Sequence, residues 1–152
     1  MRFAFKEMYD KDVIETILQN VKRSDDEYHR FVENALRGAR EEEDPDMVDE
    51  KGVSNDNEAL RNAFADPKKV DMSIIIDIFS TRSWGHLDRV LVEFNKLSAL
   101  NAKATIEKRI GGRVGNAIQI IIDVAQQRHV YWAQTVNTFI FMSQINQNKK
   151  HR

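Results

Sequence analysis

The residues best suited to chemistry in this chain are cations. Lys68 and Lys69 follow Asp66-Pro67 in a short turn, with Val70 next, and Arg109 and Arg113 flank a second turn, Gly111-Gly112. With a formal net charge of only -1, any anionic partner would have to be met by a local patch of cations. Carboxylates are numerous, but the densest run, Glu41 to Asp46, carries Pro45 and few apolar residues, so as a solvated loop it has no fixed geometry for a metal. Four histidines, His29, His86, His129 and His151, lack any zinc-ligand spacing. No cysteine is present, which removes disulfides, thiolate metal sites and cysteine nucleophiles. There is no nucleophile elbow, no phosphate loop and no defensible carboxylate pair, so the chain does not read as an enzyme.

The elements that must position these residues are helices. The 152 residues are 41% hydrophobic and 31% charged, enough for a real core, and two prolines and six glycines are few for a many-stranded fold. A net charge of -1 argues against a nucleic-acid partner. The first twelve residues contain acids and no long apolar run, unlike a signal peptide, and Ile120-Ile121-Ile122 is far short of a membrane span, so a soluble protein is expected.

The organising stretch is Asp71 to Phe94. Ile74, Ile75, Ile78 and Phe79 form one helical stripe, and Leu87, Val90, Leu91 and Phe94 form another, separated at Ser83-Trp84-Gly85; two short antiparallel helices are expected. Upstream, Phe3, Phe5, Met8 and Tyr9 look like the end of a helix, followed by Val13, Ile14, Ile17, Leu18 and Val21 on another. Ser24 with Glu27 suggests a capping box for a helix carrying Tyr28, Phe31, Val32, Ala35 and Leu36, stopped at Gly38. The acidic stretch 40–54 is expected as an exposed linker. Asn55 with Glu58 suggests a second capping box, for a helix burying Leu60, Ala63 and Phe64. A short polar helix, Ala102 to Ile110, precedes an apolar one from Val114 to Ala125, expected to be the most buried. A last helix from Tyr131 shows Trp132, Val136, Phe139 and Ile140 on one face and ends in a basic tail. Asp77 and Asp123, on apolar helices, are candidate buried anchors, with Arg82 a possible partner for either.

Aligning the helices that follow Arg23 and Arg109 sets Phe31 opposite Ala117, Val32 opposite Ile118 and Leu36 opposite Ile122 at one constant offset, an internal repeat in outline. Thr81-Arg82-Ser83, His86-Leu87, Val90 and Phe94 resemble the TRS-x-x-HL-x-x-V-x-x-x-Y/F signature of an annexin repeat. Leu36-Arg37-Gly38-Ala39-Arg40-Glu41-Glu42 with Val48-Asp49-Glu50 resembles the end of a second annexin repeat; Ala63 resembles the third, and Trp132-Ala133 the start of a fourth.

The resemblance implies an all-α fold of right-handed five-helix bundles: residues 1–39 the C-terminal part of one repeat, 40–54 the linker, 55–129 a complete repeat, and 130–152 the first helix of another with its tail. On that division the chain would be a short form or a fragment, with uncovered faces that invite self-association. The resemblance further implies calcium-dependent phospholipid binding at the membrane-cytoskeleton interface, a peripheral cytoplasmic location, and a cytoskeletal protein as a candidate partner. Calcium in the family is held by a G-x-G-T turn and a later acid. Here Lys68-Lys69-Val70 and Arg109 stand at those positions, and Arg23 near the acidic position of the first repeat, so no cofactor is expected at the matched sites. Weak calcium binding elsewhere, for example through Asp25, Asp26 and Glu27, is left open. The lipid-facing candidates are Lys68, Lys69, Val70, Arg109 and Arg113, and Arg82, Ser83, His86 and Leu87 are the structural signature. The alternative function is a helical protein-interaction or structural module that has lost lipid binding.

Overall fold

Leu87, Val90, Leu91 and Phe94 lie on one face of a helix, and all four are buried, so the helix bearing them is the natural place to begin. The computed structural model describes residues 2–21, 25–42, 49–99 and 101–150, leaving aside the side chains of 2, 3 and 142–150. Among the described residues there are eight α-helices and no strand: α1 (Arg2–Tyr9), α2 (Val13–Asn20), α3 (Asp26–Arg37), α4 (Glu50–Ala63), α5 (Met72–Thr81), α6 (Trp84–Leu97), α7 (Ala102–Arg109) and α8 (Gly112–Lys150). The all-α expectation holds.

Side-chain caps set most of the boundaries. Asp12, Asp25, Asp49, Asp71, Ser83 and Asn101 each accept from a free backbone N–H in the first turn of α2 to α7 respectively. Gly38 ends α3 in the left-handed region at φ 70°, where glycine pays no Cβ penalty. Ser24 lies outside the described residues, and the cap seen on α3 is Asp25, whose Oδ1 accepts from Tyr28 N–H at 3.2 Å. The expected cap at Asn55 is not seen. Helix α4 begins at Glu50 behind Asp49, because Val53 is fully buried and its packing extends the helix more than a turn into the acidic stretch.

Helices α4 to α7 and the first half of α8 surround one core. Val53, Leu60 and Ala63 of α4 pack with Ile75, Ile76, Ile78 and Phe79 of α5, with the α6 stripe, with Ala102, Ile106 and Ile110, and with Val114, Ile118 and Ile122 of α8. Phe31 of α3 joins the same cluster. Helices α5 and α6 meet at a corner but are not principal packing partners. Helix α5 packs on α3 and α4, and α6 on α4 and α8, since the apolar faces of both turn toward α4.

Helix α8 departs from expectation in two ways. Val114, Ile118 and Ile122 share the face turned to the core, while Ile120 is 48% exposed, so the helix is not the apolar-all-round rod predicted. It also runs on without a loop where two helices were expected: the break is reduced to a kink at Gln127, with φ -142° and ψ 49°. Beyond the kink Trp132, Val136, Phe139, Ile140 and Phe141 are exposed.

Candidate functional site

The two cationic turns meet. Lys68, Lys69, Val70, Arg109 and Arg113 line one open depression of about 390 Å³, and Asp25 and Glu27 line it too. Local structure accounts for the meeting. Asp66 Oδ1 accepts from Lys68 N–H at 2.8 Å, and Asp71 N–H donates to Ala63 O at 3.0 Å, which closes the loop between α4 and α5. The turn from α7 to α8 is equally constrained. A Cβ at Gly115 would stand 2.2 Å from the Ile110 carbonyl oxygen, so only glycine permits so close an approach.

Arg109 ties the two turns together. Its guanidinium donates to Phe64 O at 3.3 Å and to Asp66 O at 2.5 Å, and lies 5.9 Å from the centroid of the Phe64 ring. The guanidinium thus holds two carbonyl oxygens of this loop. Arg113 lies over the Tyr28 ring at 5.5 Å. Lys68 and Lys69 are exposed and, among the described residues, have no carboxylate within ion-pair distance. Among the described residues no group of three or more His, Asp or Glu side chains is placed to hold a metal ion.

The signature residues form a separate polar cluster at the α5–α6 corner. Asp56, 8% exposed, accepts from Arg82 at both oxygens, 2.5 Å from Nε and 3.1 Å from the second guanidinium nitrogen. Its Oδ2 is also 2.9 Å from His86 Nε2. Arg82 reaches Glu41 at 2.8 Å, and hydrogen bonding to Asp56 strengthens its hold on its proton. Ser83 caps α6, and Leu87 is fully buried behind it. Arg40 donates to Arg82 O and to Phe79 O, and stacks 4.0 Å from the centroid of the Trp84 ring; burial weakens its hold on its proton.

The partners expected for Arg82 are elsewhere. Asp77 pairs with Arg30 at 2.6 Å and Asp123 with Lys103 at 2.6 Å, each carboxylate about half exposed. Both sit on the outer faces of their helices, where an ion pair needs no burial. Asp56 was not named from the sequence, although it stands one turn before Leu60 on the expected buried face. With the helix begun at Glu50, Val53, Asp56, Asn57 and Leu60 share one face, and a carboxylate on that face requires a cation. Asn57 is buried on the same face, donating to Val90 O at 3.2 Å.

No family model matches the chain. It is 23% identical over 137 residues to annexin A1 of Sus scrofa, covering 88% of this chain and 37% of that one. It is 26% identical over 134 residues to annexin A5 of Macaca fascicularis, covering 88% and 41%. A solved structure of annexin III superposes with a TM-score of 0.79 at 18% identity, over 90% of this chain and 41% of that one. The chain therefore spans about two fifths of the length of the curated relatives it matches, and across that span its helices stand in an annexin-repeat relationship to theirs.

Proposed function

We propose that this protein is a peripheral phospholipid-binding protein of the membrane-cytoskeleton interface, whose annexin-like calcium sites are degenerate. The observation that carries the proposal is the gathering of Lys68, Lys69, Arg109 and Arg113 around one depression. The annexin relationship suggests the lipid surface as ligand, and the guanidinium on the loop carbonyls supports attraction by fixed charge in place of a bridging metal. On this basis the binding is cytoplasmic, without catalysis, and the repeat that carries it is the one expected over 55–129, extended by α4 back to Glu50. No described helix is long and apolar enough to cross a membrane, which agrees with attachment from one side.

The test is co-sedimentation with phosphatidylserine vesicles in calcium, in chelator, and at low and high salt. Binding in chelator that falls as salt rises is the expected result, since charge attraction is screened. Reversing the charge at Lys68, Lys69 and Arg109 abolishes it. Binding that requires calcium overturns the degenerate-site reading.

A second reading, a helical protein-interaction module, is favoured by α8 beyond its kink, where Phe139 is 75% and Phe141 63% exposed. It gains if no vesicle binding occurs in any condition. Sedimentation velocity at micromolar concentration then shows whether the face pairs with a second copy.

A further inference from the structure

Four features of the basic depression go beyond attraction to a charged sheet. Its cations come from two separate turns into a concave surface, whereas a flat membrane would be served by a flat patch. Arg109 is held in place by two carbonyls, which leaves three of the five guanidinium N–H groups for a ligand. Lys68 and Lys69 have no carboxylate within ion-pair distance among the described residues, and Arg113 rests over an aromatic ring, so none of the three is held in a direct ion pair. The turn between α7 and α8 is built from Gly111 and Gly112, where an added Cβ would meet nothing within 4 Å, so the backbone lies open to close approach.

The acidic residues of the lining decide what kind of anion fits. Asp25 is engaged in capping α3, while Glu27 is exposed and faces the same depression. Four cations against two carboxylates leave a modest net positive field, and the energy of an anion in that field scales with its own charge. A singly charged phosphodiester gains little over water. A phosphate monoester, with close to two charges and three strong acceptor oxygens, gains about twice the Coulomb energy and can accept from guanidinium and ammonium together.

We propose that the depression between the Lys68-Lys69-Val70 turn and the Arg109–Arg113 turn is a metal-independent receptor for a phosphate monoester. The proposal rests on the basic face described above and names its ligand. Arg109 serves as the fixed cation of the site, Lys68, Lys69 and Arg113 close on the phosphate, and Glu27 sets the threshold that excludes weaker anions. The monoester can be a lipid headgroup or a free phosphorylated polyol, since the chemistry is shared.

The experiment uses the full chain in chelator throughout. Binding is compared on phosphatidylglycerol vesicles and on phosphatidic acid vesicles matched to them in surface charge, and inositol trisphosphate is titrated alone by calorimetry. The expected result is about tenfold tighter binding to the phosphatidic acid vesicles. Replacing the exposed Lys68, Lys69 and Arg113 by glutamine removes the preference, with helicity unchanged by circular dichroism. Glu27→Gln, a surface change with no packing role, strengthens monoester binding about threefold.

Each outcome falls on one side. Equal binding to the charge-matched vesicles, with no calorimetric signal, overturns the receptor and leaves the charge-driven lipid function standing. Binding of inositol trisphosphate that Glu27→Gln strengthens, without vesicle binding, supports the receptor with a free ligand and overturns the lipid function. Binding to neither overturns both.

Discussion

Asp56 is the residue whose removal should reveal most about this fold. Its carboxylate takes two hydrogen bonds from Arg82 and a third from His86, with 11% of the side chain exposed, while the Arg82 side chain is 35% exposed. Asp56→Ala leaves Arg82 and His86 without that partner at the α5–α6 corner. Breaking a buried pair from one side costs about 3–5 kcal/mol, and the partial exposure of Arg82 and its remaining contact with Glu41 place this case near 3 kcal/mol. With a urea dependence of about 2 kcal/mol per molar, the midpoint of unfolding should fall by about 1.5 M at unchanged slope. Trp84 begins α6 beside this cluster and reports the transition by fluorescence. Adding Arg82→Met to Asp56→Ala should recover part of the loss, because no guanidinium is then stranded. A loss under about 0.5 kcal/mol, or a double variant as unstable as the sum of the singles, refutes the argument that this carboxylate anchors the corner.

Three further outcomes follow from local geometry. Burial raises the pKa of Asp88 above the ordinary carboxylate value, more than Arg89 lowers it, so folding favours its protonated form. Its ionisation therefore subtracts stability as pH rises through its folded pKa. Asp88→Asn should melt higher than wild type at pH 7, with the difference closing as pH falls below that pKa, measured by calorimetry across pH. Gly115→Ala forces a methyl group to 2.2 Å from the Ile110 carbonyl oxygen, so the turn from α7 to α8 must shift, costing about 2 kcal/mol in chemical unfolding. Truncating Leu91, fully buried in the core cluster, to alanine should cost about 3 kcal/mol by the same measurement.

Much of this architecture is written in the spacing of side chains, and the reasons are local. Leu87, Val90, Leu91 and Phe94 could only form one face of a helix, and that face is buried in full. Gly38 could only be a stop, since its left-handed backbone is the one a helix end needs. Lys68, Lys69, Arg109 and Arg113 came to attention differently, through their match to the calcium-site positions of the annexin repeat that the chain resembles. Where a helix begins is less legible, since Asp49 and Asn55 are equally good caps in isolation.

Tertiary structure decided what spacing leaves open. Burial of Val53 chose Asp49 over Asn55, and packing of the face that carries Leu60 brought Asp56 to Arg82 and His86, residues 26 and 30 positions away. Asp77 and Asp123 looked equally eligible for Arg82, yet packing turned them outward to Arg30 and Lys103. The cations named from the sequence became a site only because Arg109 reaches back to carbonyls 43 and 45 positions earlier, joining two turns that nothing in their own residues connects. Helical periodicity and capping are properties of a few consecutive residues, so the chain alone determined which stretches are helical, though not every boundary. Ion pairs and shared cavities depend on which faces meet, and only the packed core fixed those.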